Sequence, residues 1–367
     1  MRKIRPWILR LLPAITAALL YFLLPHFPHF TEIFFSLGVF RVISVPLGMF
    51  TSIFPFSLTE ILVLTAFPLL IFLIVRLISR LKKAGQKRTV CLKSLKSCTL
   101  ALSAALLFYM LLHGVNFYRL PVEKLLDLNT ARVTPENFRD VCIELASNAS
   151  KERKKVKEDE HGRMKLSESV SKTLLNANES YKRLDDSYSF LWGGVWRPKP
   201  VMLSHYWSST RICGMYFPFF AEANINVDQP DCDIPFTAAH ELAHTRGFAR
   251  EDECNFFAYL SCINSDSADA RYSGYLSAYM YCIGELSSYD KDMANEANRH
   301  LSEAVWQDFE GRNEYWEQFD KPIDNVIGNI SNEINNSFIE SQGVEKGALS
   351  YGEVVRLIVA WHNTEAK

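Results

Sequence analysis

The chain has 367 residues, with 40 Lys and Arg balanced by 41 Asp and Glu for a formal net charge of -1. That balance excludes a chain steered as a whole towards nucleic acid, and the length allows one or two domains. The charge is unevenly spread: Leu, Ile, Phe, Val and Pro dominate residues 1–120, and a mixed polar sequence follows.

Three apolar runs, residues 7–25, 58–78 and 98–115, each approach the ~20 residues that cross a hydrocarbon core as a helix. Pro13 and Pro68 are tolerable there because neighbouring helices re-satisfy the backbone. The basic start of the first run (Arg2, Lys3, Arg5) suits a signal peptide. Pro25, His26, Phe27, Pro28 and His29 then stand where a small-residue cleavage site is needed, so the run reads as a retained helix. Residues 30–57 are too apolar for an ordinary loop and are expected to lie in, or re-enter, the outer interface.

Lys and Arg accumulate on the cytoplasmic side. They cluster at the N-terminus and again at Arg76, Arg80, Lys82, Lys83, Lys87, Arg88, Lys93 and Lys96, whereas Arg41 stands alone between the first two runs. The N-terminus and the basic loop are therefore predicted to be cytoplasmic, in a multi-pass protein of the cell membrane. Three crossings give a membrane domain over residues 1–118 and an extracytoplasmic domain over 119–367.

Cys142, Cys213, Cys232, Cys254, Cys262 and Cys282 fall in that exported part, available for disulfides or for burial as small apolar side chains. Cys254 and Cys262 lie on one predicted helix, separated by roughly 12 Å of rise, too far to pair with each other. Without a C-x-x-C, a thiolate zinc knuckle is not expected.

Helices are predicted over 134–158, with Thr134 as N-cap and Pro135 in the first position, and over 167–185. The charged tail at 151–163 reads as a solvated run. Aromatic, β-branched, Gly and Pro residues at 189–230 read as strands. From Pro235 the pattern is helical again. The fold class is α+β, mostly helical, with a small sheet.

The chemistry concentrates in "PFTAAHELAHTRGFAREDECNFFAYLSC", residues 235–262. Asp233 is placed to N-cap its helix. His240 and His244, at i and i+4, leave one face and suit two nitrogens of a tetrahedral zinc; Glu241 lies about 100° round and can reach water without ligating metal. Gly247 stands where the helix must stop. A second helix starting near Ala249 carries Glu251, Asp252 and Glu253 in its first turn. Glu251 is the preferred third ligand because Asn255 and Ala258 share its face, a small polar stripe. Glu253, two residues on, is the reserve. Helix-dipole complementarity alone would account for two acids here, but not for the histidines.

This pattern resembles the gluzincin-type metallopeptidases, in which a His-Glu-x-x-His helix precedes a helix bearing Glu and, four residues on, Asp or Asn. The chain also resembles a family of bacterial membrane proteins known as domain of unknown function 3810, through residues 216–224 (YFPFFAEAN), 235–256, 272–278 (YSGYLSA) and 350–352 (SYG). The resemblance implies a zincin-like exported domain, a Zn2+ cofactor held by His240, His244 and Glu251, and Asn255 orienting a histidine. The gap from His244 to Glu251 is shorter than in most gluzincins, which keeps Glu253 open. Asn255 stands where many carry Asp, and a neutral amide polarises a histidine less.

The implied activity is hydrolysis of peptide or protein substrates outside the cytoplasm, with the lipid bilayer as anchor, Glu241 as general base and no nucleic acid involved. Residues 214–227 are a candidate edge strand for substrate, or an ordinary core strand. Tyr275, Tyr279 and His205 are candidates for an oxyanion or substrate contact. Tyr272 and His300 are further candidates, packing being the commoner role for all. The competing reading is a non-catalytic zincin-fold sensor or scaffold that binds peptide or metal and couples it to the membrane helices. Glu241, which a scaffold does not need, favours the enzyme. An intramembrane protease is disfavoured, because the motif lies far beyond the last apolar run in a polar setting.

Overall fold

A computed structural model describes residues 5–130, 133–193, 196–320, 333 and 351–365; Ser350 of the late SYG segment lies outside them. The described residues are mostly helical, with two small sheets among them. Among them four stretches are long and apolar enough to cross a membrane: Trp7–His26, Pro28–Thr51, Leu58–Lys83 and Lys87–Leu112. That is one more than the sequence reading counted. The addition is the stretch expected at the interface, which continues as helix through π-helical turns at Thr31–Val39 into Phe40–Thr51.

Helices α1 (Arg5–Leu23), α2 (Phe40–Thr51), α3 (Leu58–Lys83) and α4 (Lys87–Leu112) form this first part. Ser57 N-caps α3 by accepting from the Glu60 amide at 2.8 Å. Trp7 faces Lys96 at 5.7 Å, and Tyr21 faces Tyr118 at 6.2 Å. Helices α1 and α4 are therefore parallel, while α3 turns back into α4 through a three-residue connection.

The π-helical turns and α2 pack onto the polar part of the chain. Glu32 and Arg119 form a buried bidentate pair at 2.6 and 2.8 Å. Arg41 donates to the Phe190 carbonyl at 2.6 Å, and Thr51 to that of Phe220 at 3.1 Å. Gly48 lies so close to Trp196 that a Cβ would overlap its ring at 1.2 Å. One face of this apolar segment is thus buried against protein, while Ile33, Val42 and Met49 on it stay exposed.

In the polar part, α5 (Pro135–Arg153) begins at the expected Thr134 cap, which accepts from the Asn137 amide at 3.2 Å. It ends short of residue 158. Strands β1 (Lys157–Glu158) and β2 (Met164–Lys165) then form a hairpin, followed by α6 (Val170–Ser187). The run expected to be solvated hides Arg153, whose guanidinium is buried against Asp308 at 2.6 Å and the Gly162 carbonyl at 2.7 Å. A guanidinium brings five donors, and burial is tolerable only with such partners.

The predicted strand region yields β3 (Lys199–Pro200), a short helix α7 (Ser204–Ser209), β4 (Gly214–Phe217) and β5 (Glu222–Ile225). The strand order is β3-β5-β4, with β3 parallel and β4 antiparallel to β5, so β4 is an edge strand. Helices α8 (Ile234–Thr245), α9 (Glu251–Ile263), α10 (Ala268–Tyr289), α11 (Lys291–Asn298), α12 (Glu303–Glu317) and α13 (Tyr351–Glu365) complete the described chain. Leu145, Ala146, Phe257, Leu276 and Ile358 meet in one core. All eight cysteines are free thiols, and Cys142, Cys232, Cys254, Cys262 and Cys282 are buried, which is the second of the two roles open to them.

The two parts meet without a free linker. Glu222 on β5 accepts from the Leu58 and Thr59 amides at 3.2 and 2.9 Å, covering the N-terminus of α3. Glu60 accepts from the Met202 and Leu203 amides at 2.9 and 2.8 Å. Residues Gly114–Tyr118, leading out of α4, are all buried or nearly so.

Candidate metal centre

The His-Glu-x-x-His stretch forms α8 as the spacing requires. Asp233 sits at its N-cap but caps nothing, because Arg312 holds its carboxylate at 2.8 and 2.9 Å. The exposed donor of the first turn, the Phe236 amide, is met instead by Ser273 Oγ at 3.1 Å. Gly247 ends the helix at φ +83°, in the left-handed region that favours glycine. The next helix, α9, starts at Glu251 and packs against α8.

This turn brings three ligand atoms together. Those of His240, His244 and Glu251 all lie within 4.8 Å of one another. His240 Nε2 is 3.1 Å from one Glu251 oxygen, and His244 Nε2 is 3.7 Å from the other. Zinc bonds of about 2.0–2.1 Å at tetrahedral angles put ligand atoms about 3.3 Å apart, so the residues fit such an ion.

Ring orientation is fixed behind the ligands. His240 Nδ1 donates to Asn255 Oδ1 at 2.8 Å, and His244 Nδ1 to the Phe248 carbonyl at 2.9 Å. Tyr281 OH also donates to Asn255 Oδ1, at 3.2 Å, so two donors converge on the amide oxygen. Both Nε2 atoms are left for the Glu251 side.

The charges are tightly linked. Burial alone would lower His240, but the Glu251 carboxylate overrides it and raises the imidazole to about 9. Burial would raise Glu251, but hydrogen bonding to His240 and the neighbouring imidazoles hold it down to about 2. Burial, with help from Glu251 and against His240, pushes Glu241 up to about 8. Its Oε2 is buried and has no hydrogen-bond partner among the described residues.

The chain belongs to the DUF3810 family of proteins of unknown function. The family model matches residues 35–359. No curated protein and no solved structure matches the chain. The matched range takes in every residue of the cluster, together with α3 and α4. Membership is as the sequence motifs implied.

Of the two candidate acids in this DUF3810 chain, Glu251 joins the histidines. Glu253 points away, accepting from the Val122 amide and from Arg250, each at 3.0 Å. The oxyanion candidates are elsewhere: His205 pairs with Asp228 at 2.9 Å, Tyr275 packs on Tyr259 at 6.2 Å, and Tyr279 donates to Asn298 at 2.5 Å. Tyr272 donates to Asp308, and the His300 carbonyl accepts from Ser150 at 3.0 Å. Helical spacing alone put these tyrosines on one face, but that face meets other helices.

Three neighbours escaped the sequence reading. Tyr281 is one. Gly214 on β4 is another: a Cβ there would stand 2.5 Å from Glu241 Oε1. The third is His113, directly after α4, whose ring centroid is 6.0 Å from that of His244 and 5.7 Å from that of Tyr216. A histidine in an otherwise uncharged apolar run was a readable signal for it.

Gly214→Ala is expected to displace the Glu241 carboxyl or to cost stability, because a Cβ would stand 2.5 Å from its Oε1. An unchanged denaturant midpoint with an unmoved carboxyl in a crystal structure of the variant would show that the backbone gives instead.

Proposed function

We propose that the chain is a membrane-anchored, zinc-dependent metallopeptidase with a zincin-like domain acting on peptides or proteins outside the cytoplasm. The observation that carries this reading is the buried Glu241 carboxyl beside the three-ligand cluster, with one oxygen unsatisfied. A sensor or scaffold gains nothing from it, whereas hydrolysis uses it.

His240, His244 and Glu251 would hold the zinc ion, which when bound would supply Lewis acidity towards an amide carbonyl and towards water. An extended substrate pairs with the outer edge of β4, where the Tyr216 N–H meets the Glu241 carboxyl. Glu241 Oε2 takes a proton from the attacking water as its oxygen bonds to the carbonyl carbon. The same carboxyl returns the proton to the nitrogen as the C–N bond breaks. Its raised pKa suits both halves of that exchange near neutral pH.

The test is elemental analysis of the full chain purified in detergent, alongside peptide hydrolysis. About one zinc per chain is expected, lost in His240→Ala and in His244→Ala. Stoichiometric zinc surviving both changes would remove the assignment.

Three of the four apolar helices are read as crossings. With α1 running outwards, α3 inwards and α4 outwards, α1 and α4 come out parallel, as found. A further crossing by Pro28–Thr51 would make them antiparallel. The basic α3–α4 connection is then cytoplasmic. In a cysteine-free background, Glu160→Cys is expected to label from outside intact cells and Lys87→Cys to stay unlabelled; the reverse pattern would invert the topology.

A further inference from the structure

The His240–His244–Glu251 cluster lies beside the end of α4, although the sequence separates its motif widely from the apolar helices. Strand β4 stands between the two. On one side Gly214 abuts Glu241, and the Tyr216 backbone hydrogen-bonds that carboxylate. On the other, Tyr216 OH donates to the Leu112 carbonyl at 3.4 Å, the last residue of α4. The strand then runs into Phe219, whose ring packs on Phe108 of α4 at 5.9 Å. His113 is in ring contact with a ligand histidine.

Depth follows from helix length. From Lys96, the last basic residue of the cytoplasmic hairpin, to Leu112 the helix rises about 24 Å. A hydrocarbon core is about 30 Å thick. Leu112 therefore reaches no higher than the outer edge of the core. Phe30, Ile33, Met49 and Phe50 are exposed on the stretch leading into α3, an apolar surface that holds the protein at this depth. Glu222 and Glu60 clamp the polar part to α3, so the cleft cannot rise on a linker.

We propose that the substrates are polypeptides anchored in the same membrane and cut in the extended segment next to their anchor. This rests on the peptidase reading above. A chain emerging from the bilayer presents that segment at the height of β4, and its tether replaces a three-dimensional search by an effective concentration. Because β4 runs from Glu241 towards α4, an antiparallel partner has its N-terminal side at the membrane. An antiparallel partner is therefore anchored through its N-terminal side, which is the polarity the probes below take.

The test uses the full chain with zinc in phosphatidylcholine vesicles and one pool of randomised peptides in three forms. One carries an N-terminal diacyl anchor with a four-residue spacer, reaching at most about 14 Å. A second has the same anchor and a flexible Gly/Ser spacer of about 40 residues, with a mean extension of roughly 35 Å. The third is untethered. The short-spacer form is expected to be cleaved at least tenfold faster than the long-spacer form, with Glu241→Gln inactive on all three. Equal rates for the two spacers, or faster cleavage of the long-spacer or free form, would overturn the substrate class and leave the peptidase reading standing. No cleavage of any form by zinc-loaded protein would overturn both.

Discussion

Glu241→Gln is expected to keep zinc and fold while losing hydrolysis by about 10²–10⁴-fold, the usual worth of a general acid–base group. The amide has nearly the shape of the carboxyl, so the tight approach of Gly214 is preserved. What disappears is the ability to hold a proton and release it. Glu241 lies outside the cluster of ligand atoms formed by His240, His244 and Glu251, so metal content should not follow activity. Zinc content and peptide turnover, measured on the same preparation, separate the possibilities. Loss of zinc would make Glu241 a ligand, and unaltered turnover would take it out of the mechanism.

Glu251→Ala and Glu253→Ala are expected to fail in different ways, despite being neighbours in one helical turn. Glu251 faces both imidazoles at 3.1 and 3.7 Å. Removing it should weaken zinc binding by more than the ~10–100-fold that an outer hydrogen-bond partner is worth. Glu253 is buried against the Val122 amide and Arg250. Its loss leaves those donors without their acceptor at a cost of about 1–3 kcal/mol, so stability should fall and zinc affinity should hold. Chelator-competition titration and denaturant unfolding of both variants give the two readouts. If Glu253→Ala proves the weaker zinc binder, helix α9 presents the other face to the site.

The sequence by itself determined the local arrangement of the cluster. His240, His244, the stop at Gly247 and the preference for Glu251 over Glu253 follow from the helical period and from glycine's tolerance of positive φ, within a short span of chain. The Thr134 cap and the apolar runs were legible for the same reason, since each is a property of consecutive residues. Asp233 marks where even local reading fails: it occupies the cap position, but a distant cation, Arg312, takes its carboxylate. The tertiary structure alone decided the rest. It closed Gly214 over Glu241, set Tyr281 behind Asn255, buried Arg153 on Asp308 and brought His113 back from the end of α4 to His244. It also moved the oxyanion candidates away, because a shared helix face does not say what that face packs against. These contacts join residues far apart in the chain, and periodicity carries no information about which distant group will satisfy a buried charge. The separation of α4 from the His240–His244–Glu251 cluster is the plainest case: long in sequence, it is a ring contact between His113 and His244 in space, with β4 packed beside it.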